Sequence, residues 1–388
     1  MEQVFNTILQ RLNNLIIVAN AEGKVDYVSP SVKNVLGFEP KELLGNGWWE
    51  FTKSGEDENT SFIDYIHKQF NINGSLNLKE VSYERQLKTA SGVNKWILWN
   101  MSIGPDESVI SIGSDITKRK NAEQILERKN NDLQQKNEDI IDSIQYARKI
   151  QEAILPNINL FSKNLNDAFV LYLPKDVVSG DFYFYQQIEN KLFIAAVDCT
   201  GHGVPGALMS VLGNALLKDI IVKQGVKNPS DILSVLDNDL NTALQKEDSF
   251  NTMSDGMDMA LISIDLQSNQ LLFSGAMRPL LLIRDNEVTE IKGDRFPIGY
   301  FYGVEKSFSD TKIQLKENDQ LYLFSDGFPD QFGGEKNKKF NKKKLKELLL
   351  STRGMNGEEQ VNFLEYALKN WRQEVEQTDD ILMIGLKI

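Results

Sequence analysis

Residues 119–155 contain neither glycine nor proline, and apolar side chains recur there every seven residues, at Leu126, Leu133, Ile140, Ala147 and Ile154. A stretch of that length without a helix breaker, rich in Lys, Glu, Gln and Asn, is restricted to one long helix. It divides a chain of 388 residues, already too long for one typical core, into two globular segments. With the apolar set at d, Asn130, Asn137 and Ile144 fall at a. Asparagine at a fixes register and favours a two-stranded parallel coil at some cost in stability. The competing reading is one amphipathic helix packed on its own domain, but few apolar residues remain for a second face. The expectation is a homodimer through residues 119–155, joined by a coil weak enough to act as a switch.

Composition narrows the partners. A net charge of −12 argues against nucleic acid, whose phosphates attract basic surfaces. An acidic protein that acts on a phosphorylated substrate needs a local source of positive charge, and metal ions supply it. The longest apolar runs, 192–197 and 280–283, are strand-sized, and the N-terminal Met1-Glu2-Gln3-Val4-Phe5 carries no basic region before an apolar core. The single cysteine, Cys199, excludes an internal disulfide and a thiolate zinc cluster. The expectation is a cytoplasmic protein with no membrane contact.

Residues 8–118 alternate short strands, expected at 15–19, 25–28, 83–89, 94–103 and 109–115, with short helices and glycine-marked turns. That pattern describes an antiparallel sheet with helices on one face. Residues 16–31 (IIVANAEGKVDYVSPS), 35–45 (VLGFEPKELLG) and 115–120 (DITKRK) resemble the opening hairpin, first helices and exit motif of a PAS domain. The resemblance implies a sensor over residues 1–118 and a signalling linker over 119–159. Histidine occurs only at His67 and His202, and the one cysteine lies elsewhere, so flavin–cysteine adduct chemistry is excluded. His67, in an expected helix at 62–70, reads as a surface histidine. Trp48, Trp49, Phe51, Trp96 and Trp99 read as core before pocket; no ligand is assigned.

From 160 to 388 the pattern is mixed again. Strands are expected at 169–173, 192–197, 259–265, 270–274, 280–283, 320–324 and 381–387, with amphipathic helices at 206–224, 229–245, 342–351 and 357–374. Aspartates mark the strand ends: Asp181, Asp198, Asp326 and the pair Asp379-Asp380. Aspartate is disfavoured in strands, so the repetition calls for a reason beyond turn formation. Carboxylates gathered at one sheet edge coordinate Mg²⁺ or Mn²⁺, and two such ions activate a bridging water and clamp phosphoryl oxygens.

In order and spacing, Ser179-Gly180-Asp181-Phe182, Asp198 with Gly201-His202-Gly203, residues 274–280 (SGAMRPL), Phe296-Pro297-Ile298-Gly299, Ser325-Asp326-Gly327 and Asp379-Asp380 resemble the PPM-type (type 2C) phosphatases of the SpoIIE-like branch. The resemblance implies an α+β multidomain chain whose residues 160–388 form a β-sandwich flanked by helices. It implies a metal-dependent serine/threonine protein phosphatase with two Mn²⁺ or Mg²⁺ ions. Asp198 would bridge both ions, Asp181 would hold one, and Asp326 with Asp379 or Asp380 the other. The Cys199 backbone carbonyl would add a ligand, and His202 would be either the acid for the leaving group or part of a helix-opening turn. The substrate would be a phosphorylated regulatory protein such as an anti-sigma factor antagonist. Residues 142–156 resemble the segment through which this branch relays an upstream signal.

Two departures stand out. Cys199 replaces the usual glycine after Asp198, so the turn must form without it, and Met277 stands where the family often has histidine. Asp258 is expected in a turn ahead of the alternative, a part in a third, looser metal site. A diguanylate cyclase would need an acidic residue after Asp181, and a histidine kinase would need a histidine on the linker; neither is present. The non-enzymatic alternative is a pseudophosphatase that only binds a phosphoprotein.

Overall fold

A computed structural model describes residues 13–52, 81–244, 255–299 and 306–388. His67 and the helix expected at 62–70 lie outside the described residues. The chain divides into two compact units between Asn137 and Glu138.

In the first unit, β1 (Leu15–Ala19), β2 (Val25–Val28), β3 (Val81–Lys88), β4 (Asn94–Ile103) and β5 (Val109–Asp115) pair antiparallel in the order β2-β1-β5-β4-β3. Alternation buries Leu15, Ile17 and Ala19 on one face, where helices α1 (Ser31–Leu36) and α2 (Gly47–Phe51) add Val32, Leu36 and Trp48. Trp48, Trp49 and Trp99 line a cavity of about 210 Å³ together with Tyr83 and Arg85, whereas Phe51 lies against Phe38.

Helix α3 (Thr117–Ile154) leaves the sheet through a local lock. The Asp115 carboxylate accepts the Thr117 amide at 3.0 Å and pairs with Lys95, and the Thr117 hydroxyl accepts the Trp96 amide at 2.9 Å. Farther along, Leu126, Leu133 and Ile140 are 61%, 59% and 56% exposed, so this part of the heptad face is left open by the described residues. The buried residue of α3 is polar: Gln151.

The second unit runs β6 (Asp167–Leu173), β7 (Phe182–Ile188), β8 (Lys191–Cys199), α4 (Gly203–Lys218), α5 (Pro229–Leu244), β9 (Gly256–Asp265), β10 (Gln270–Ala276), β11 (Leu280–Arg284), β12 (Glu287–Ile291), β13 (Ile298–Gly299), β14 (Thr311–Gln314) and β15 (Gln320–Phe324). It ends with α6 (Gly327–Asp330), a small hairpin of β16 (Phe332–Gly333) and β17 (Lys338–Lys339), α7 (Lys342–Ser351), α8 (Gly357–Arg372) and β18 (Ile381–Lys387). One sheet has the order β14-β10-β9-β8-β7, with β13 beside β9, and the other β12-β11-β15-β18-β6.

These sheets stack face to face between helix pairs, and the side-chain alternation shows it. In β8, Phe193, Ala195 and Val197 pack toward Leu217 of α4 and Leu236 of α5, whereas Leu192, Ile194 and Ala196 join Leu321, Leu323 and Leu382 of the other sheet. Beyond the second sheet, Ile381 and Met383 pack on Leu345 of α7 and Leu364 of α8. Both faces of the central strands are buried, which is why they read as continuous apolar runs. Helix α4 with its π-helical continuation, Gly203–Lys223, is long and apolar enough to cross a membrane, but its Leu217, Ile220 and Ile221 are fully buried core residues here.

Candidate metal centre

Alternation within the strands also places the carboxylates. Asp198 lies directly across from Asp258 in the β8–β9 register. Ala196 precedes Asp198 and Ala260 follows Asp258 on the face between the sheets, so both aspartates continue that face to the rim of the sandwich. Asp258 is therefore a strand residue, and the turn expected for it is not found. Asp326 reaches the same rim from the end of β15, at the start of α6, and Asp181 from the residue before β7.

A guanidinium sits among them. Nη2 of Arg278 is 2.7 Å from Asp198 Oδ2, 3.0 Å from Asp258 Oδ2 and 2.7 Å from Asp326 Oδ2. Sequence reasoning passed over this residue, although it lies inside the SGAMRPL segment. Among the described residues, no three histidine, cysteine, aspartate or glutamate side chains stand in metal-ligating array; the carboxylates that converge do so on Arg278.

The rim nonetheless carries more negative charge than one guanidinium balances. Asp181 is buried, and its Oδ2 has no hydrogen-bond partner. Burial, then the charges of Asp198, Asp380 and Asp379, push its carboxyl well above the usual range. Burial raises Asp198 to about 7 even though Arg278 opposes the shift, and Asp258 and Asp379 are also raised, chiefly by burial. A buried, unpartnered carboxylate oxygen is costly. Hard divalent cations take all-oxygen sites of this kind, so the donor set fits Mn²⁺ or Mg²⁺.

The Asp379-Asp380 pair divides by environment. Asp380 accepts the Lys175 amide at 2.7 Å through Oδ1 and the Gly180 amide at 2.8 Å through Oδ2, so both oxygens bind backbone. Asp379 is half-buried, and its Oδ1 accepts the Asp380 amide at 2.9 Å.

Cys199 is an ordinary end-of-strand residue paired with Met257; the positive backbone angle falls two residues later, at Gly201 (φ 83°). The departure from glycine at 199 is therefore harmless to the turn. The Gly201 carbonyl sits so close to Gly180 and Gly206 that a Cβ on either would lie 2.4 or 2.3 Å from it. His202 stands just before α4, but its ring does not cap the helix. Its Nδ1 lies 2.6 Å from Asp176 Oδ2 and its Nε2 3.1 Å from Lys175 Nζ.

Gln151 of α3 reaches into this loop. Its amide donates to the Ser179 carbonyl at 2.6 Å and to the Ser210 hydroxyl at 2.7 Å, and accepts the Ser179 amide at 3.1 Å. Ser179 in turn accepts the Asp181 amide at 3.0 Å. Gln151→Ala leaves buried polar groups unmet and is expected to cost about 1–3 kcal/mol. Faster hydrogen exchange at the Ser179 and Asp181 amides would show that the loss is local to the Asp181 loop.

Two stacked sheets between helix pairs, with acidic strand ends at one rim, define a PPM-type phosphatase fold. A family profile for Stage II sporulation protein E (SpoIIE) matches residues 188–388, and a PAS-domain profile matches residues 13–118. The chain belongs to the SpoIIE family, within the PPM-type serine/threonine protein phosphatases, and carries an N-terminal PAS domain. The SiaA-PP2C domain of Pseudomonas aeruginosa is 34% identical, with a TM-score of 0.58 over 65% of this chain and 98% of that one. The PP2C phosphatase domain and a regulatory fragment of SpoIIE from Bacillus subtilis are similar at 16% identity and a TM-score of 0.47, over 85% of this chain and 88% of that one. The S. agalactiae serine/threonine phosphatase is similar at 12% identity and a TM-score of 0.42, over 57% of this chain and 99% of that one. No curated protein sequence matches the chain significantly.

Proposed function

We propose that residues 160–388 hydrolyse phosphoserine or phosphothreonine on a regulatory protein of the anti-sigma factor antagonist class, with two Mn²⁺ or Mg²⁺ ions. The observation that carries this reading is the set of acidic strand ends at one rim, with Asp181 Oδ2 buried and unpartnered. Asp181, Asp198, Asp326 and Asp379 would hold the ions, together with the Cys199 carbonyl. Asp380, engaged with the Lys175 and Gly180 amides, keeps the loop that carries Asp181 in place. Ions so bound lower the pKa of a shared water and neutralise the phosphoryl oxygens. His202, oriented at Nδ1 by Asp176 and facing Lys175 at Nε2, would supply the leaving oxygen's proton in its doubly protonated form, with Nε2–H turned from Lys175 to the substrate. Lys175 beside it adds positive charge on the side where a phosphate would approach.

In the same reading, residues 1–118 sense, residues 119–159 transmit, and a second copy of the chain covers the exposed Leu126–Leu133–Ile140 face. The buried, unpaired Cys199 is compatible with the cytoplasm.

The test is hydrolysis of a phosphothreonine peptide and an aryl phosphate by the full chain with Mn²⁺, Mg²⁺ or chelator. Turnover is expected only with metal and is expected to be lost in Asp326→Ala. Metal binding without turnover on any phosphoprotein would instead leave a phosphoprotein-binding pseudophosphatase.

A further inference from the structure

Arg278 is placed by a rigid loop. Its amide donates to the Ala276 carbonyl at 2.7 Å across Met277, whose φ of 64° makes this a γ-turn of the strained hand. The Met277 amide donates to the Asp294 carbonyl and the Asp294 amide to that of Gly275, tying the turn to the segment after β12. A Cβ on Gly275 or Gly293 would lie 2.2 or 2.6 Å from the Arg278 carbonyl, so the backbone is closely held and movement is left to the side chain.

The side chain is held differently from a structural arginine. Arginine in a stable ion pair presents its planar fork to a carboxylate, two nitrogens to two oxygens. Here one nitrogen, Nη2, meets a separate oxygen from each of three aspartates. Nε is buried without a hydrogen-bond partner, and the side chain is only 12% exposed. One point of positive charge stands at the focus of three oxygens 2.7 to 3.0 Å away, and a divalent ion in its place would draw the carboxylates in to about 2.1 Å.

We propose that Arg278 is a tethered counter-ion that holds the position of a divalent cation between Asp198, Asp258 and Asp326 and must swing out before that position is filled. The inference rests on the reading of this rim as a divalent-metal site and adds Asp258 to the residues named there as holding an ion. It makes Arg278 a positioning residue that sets the metal concentration at which the site fills. Binding of guanidinium and of metal at the same oxygens is mutually exclusive, so each weakens the other by the same factor.

The experiment titrates the chelator-stripped full chain with Mn²⁺ alone, following free Mn²⁺ by electron paramagnetic resonance, for wild type, Arg278→Gln and Arg278→Lys. Arg278→Gln is expected to bind at least one ion about tenfold or more tightly than wild type. Arg278→Lys, which keeps a tethered charge, is expected to stay near wild type. A second measurement uses wild type only: modification of Arg278 by phenylglyoxal, read by peptide mass spectrometry, is expected to speed up several-fold when Mn²⁺ saturates the protein. Unchanged or weaker Mn²⁺ binding by a folded Arg278→Gln, or labelling that is unchanged or slowed by Mn²⁺, overturns the proposal while leaving the metal site standing. No Mn²⁺ binding by either protein overturns both. Should Arg278→Gln not fold, the labelling of wild type decides alone.

Discussion

Asp198→Asn is expected to lower turnover by about three orders of magnitude or more while leaving the fold intact. The substitution keeps the shape of the side chain and removes one negative charge from the centre of the rim. Several kcal/mol of transition-state stabilisation by a bound metal corresponds to that loss, at 1.36 kcal/mol per decade. In the metal-free protein Asp198 lies among Asp258, Asp326 and Asp379, whose charges disfavour its own. Stability in chelator should therefore hold, because less like charge is confined. Mn²⁺ is expected to raise the melting temperature of wild type by binding the folded state, and that rise should shrink or vanish in the variant. Activity lost together with a large fall in stability in chelator would assign Asp198 a structural role instead.

Gly327→Ala should damage both stability and catalysis without touching any charged group. A Cβ at 327 would lie 1.9 Å from the Asp380 carbonyl oxygen and 3.0 Å from Ile381 Cγ1, so backbone must shift. The residue before Gly327 is Asp326, and the displaced segment carries Asp379 and Asp380. Overpacking of this kind costs about 1–3 kcal/mol. A shift of about 1 Å between catalytic groups can cost about a hundredfold in rate. Gly354→Ala is the control, because a Cβ there meets nothing within 4 Å. Denaturation midpoints and kcat/KM for the two variants decide the matter; equal behaviour would show that the α6–β18 contact does not govern the rim.

The legible parts of this chain are those in which a local rule decides. Strands β1, β2, β4, β5, β15 and β18 have the bounds expected from apolar runs and turn residues. Helix α3 follows from the absence of breakers, beginning two residues earlier than expected. Strand β7 was hidden because its Phe-Tyr-Phe-Tyr start is apolar on both faces and adjoins a motif rich in loop formers. At the rim, the aspartates at strand ends stand out one at a time, but their partners do not. Asp258 meets Asp198 only through the β8–β9 register, and Arg278 meets Asp198 from 80 positions away. Gln151 looks like any polar helix residue until Ser179 and Ser210 surround it. Polar contacts between distant segments follow no periodicity, so the chemistry of single residues was visible and its pairing was not.

Strand β18 lies inside its sheet, between β15 and β6, although β6 is the unit's first strand and β18 its last. Asp380, just ahead of β18, binds the Gly180 amide across 200 residues of chain. During synthesis, β6 must therefore wait beside an empty lane until nearly all the rest of the unit has been made. Non-local pairings of this kind fold slowly and leave strand edges open meanwhile. The rim is thus among the last parts of the unit to come into being, and a nascent chain could not hold metal ions there before β18 has closed the gap.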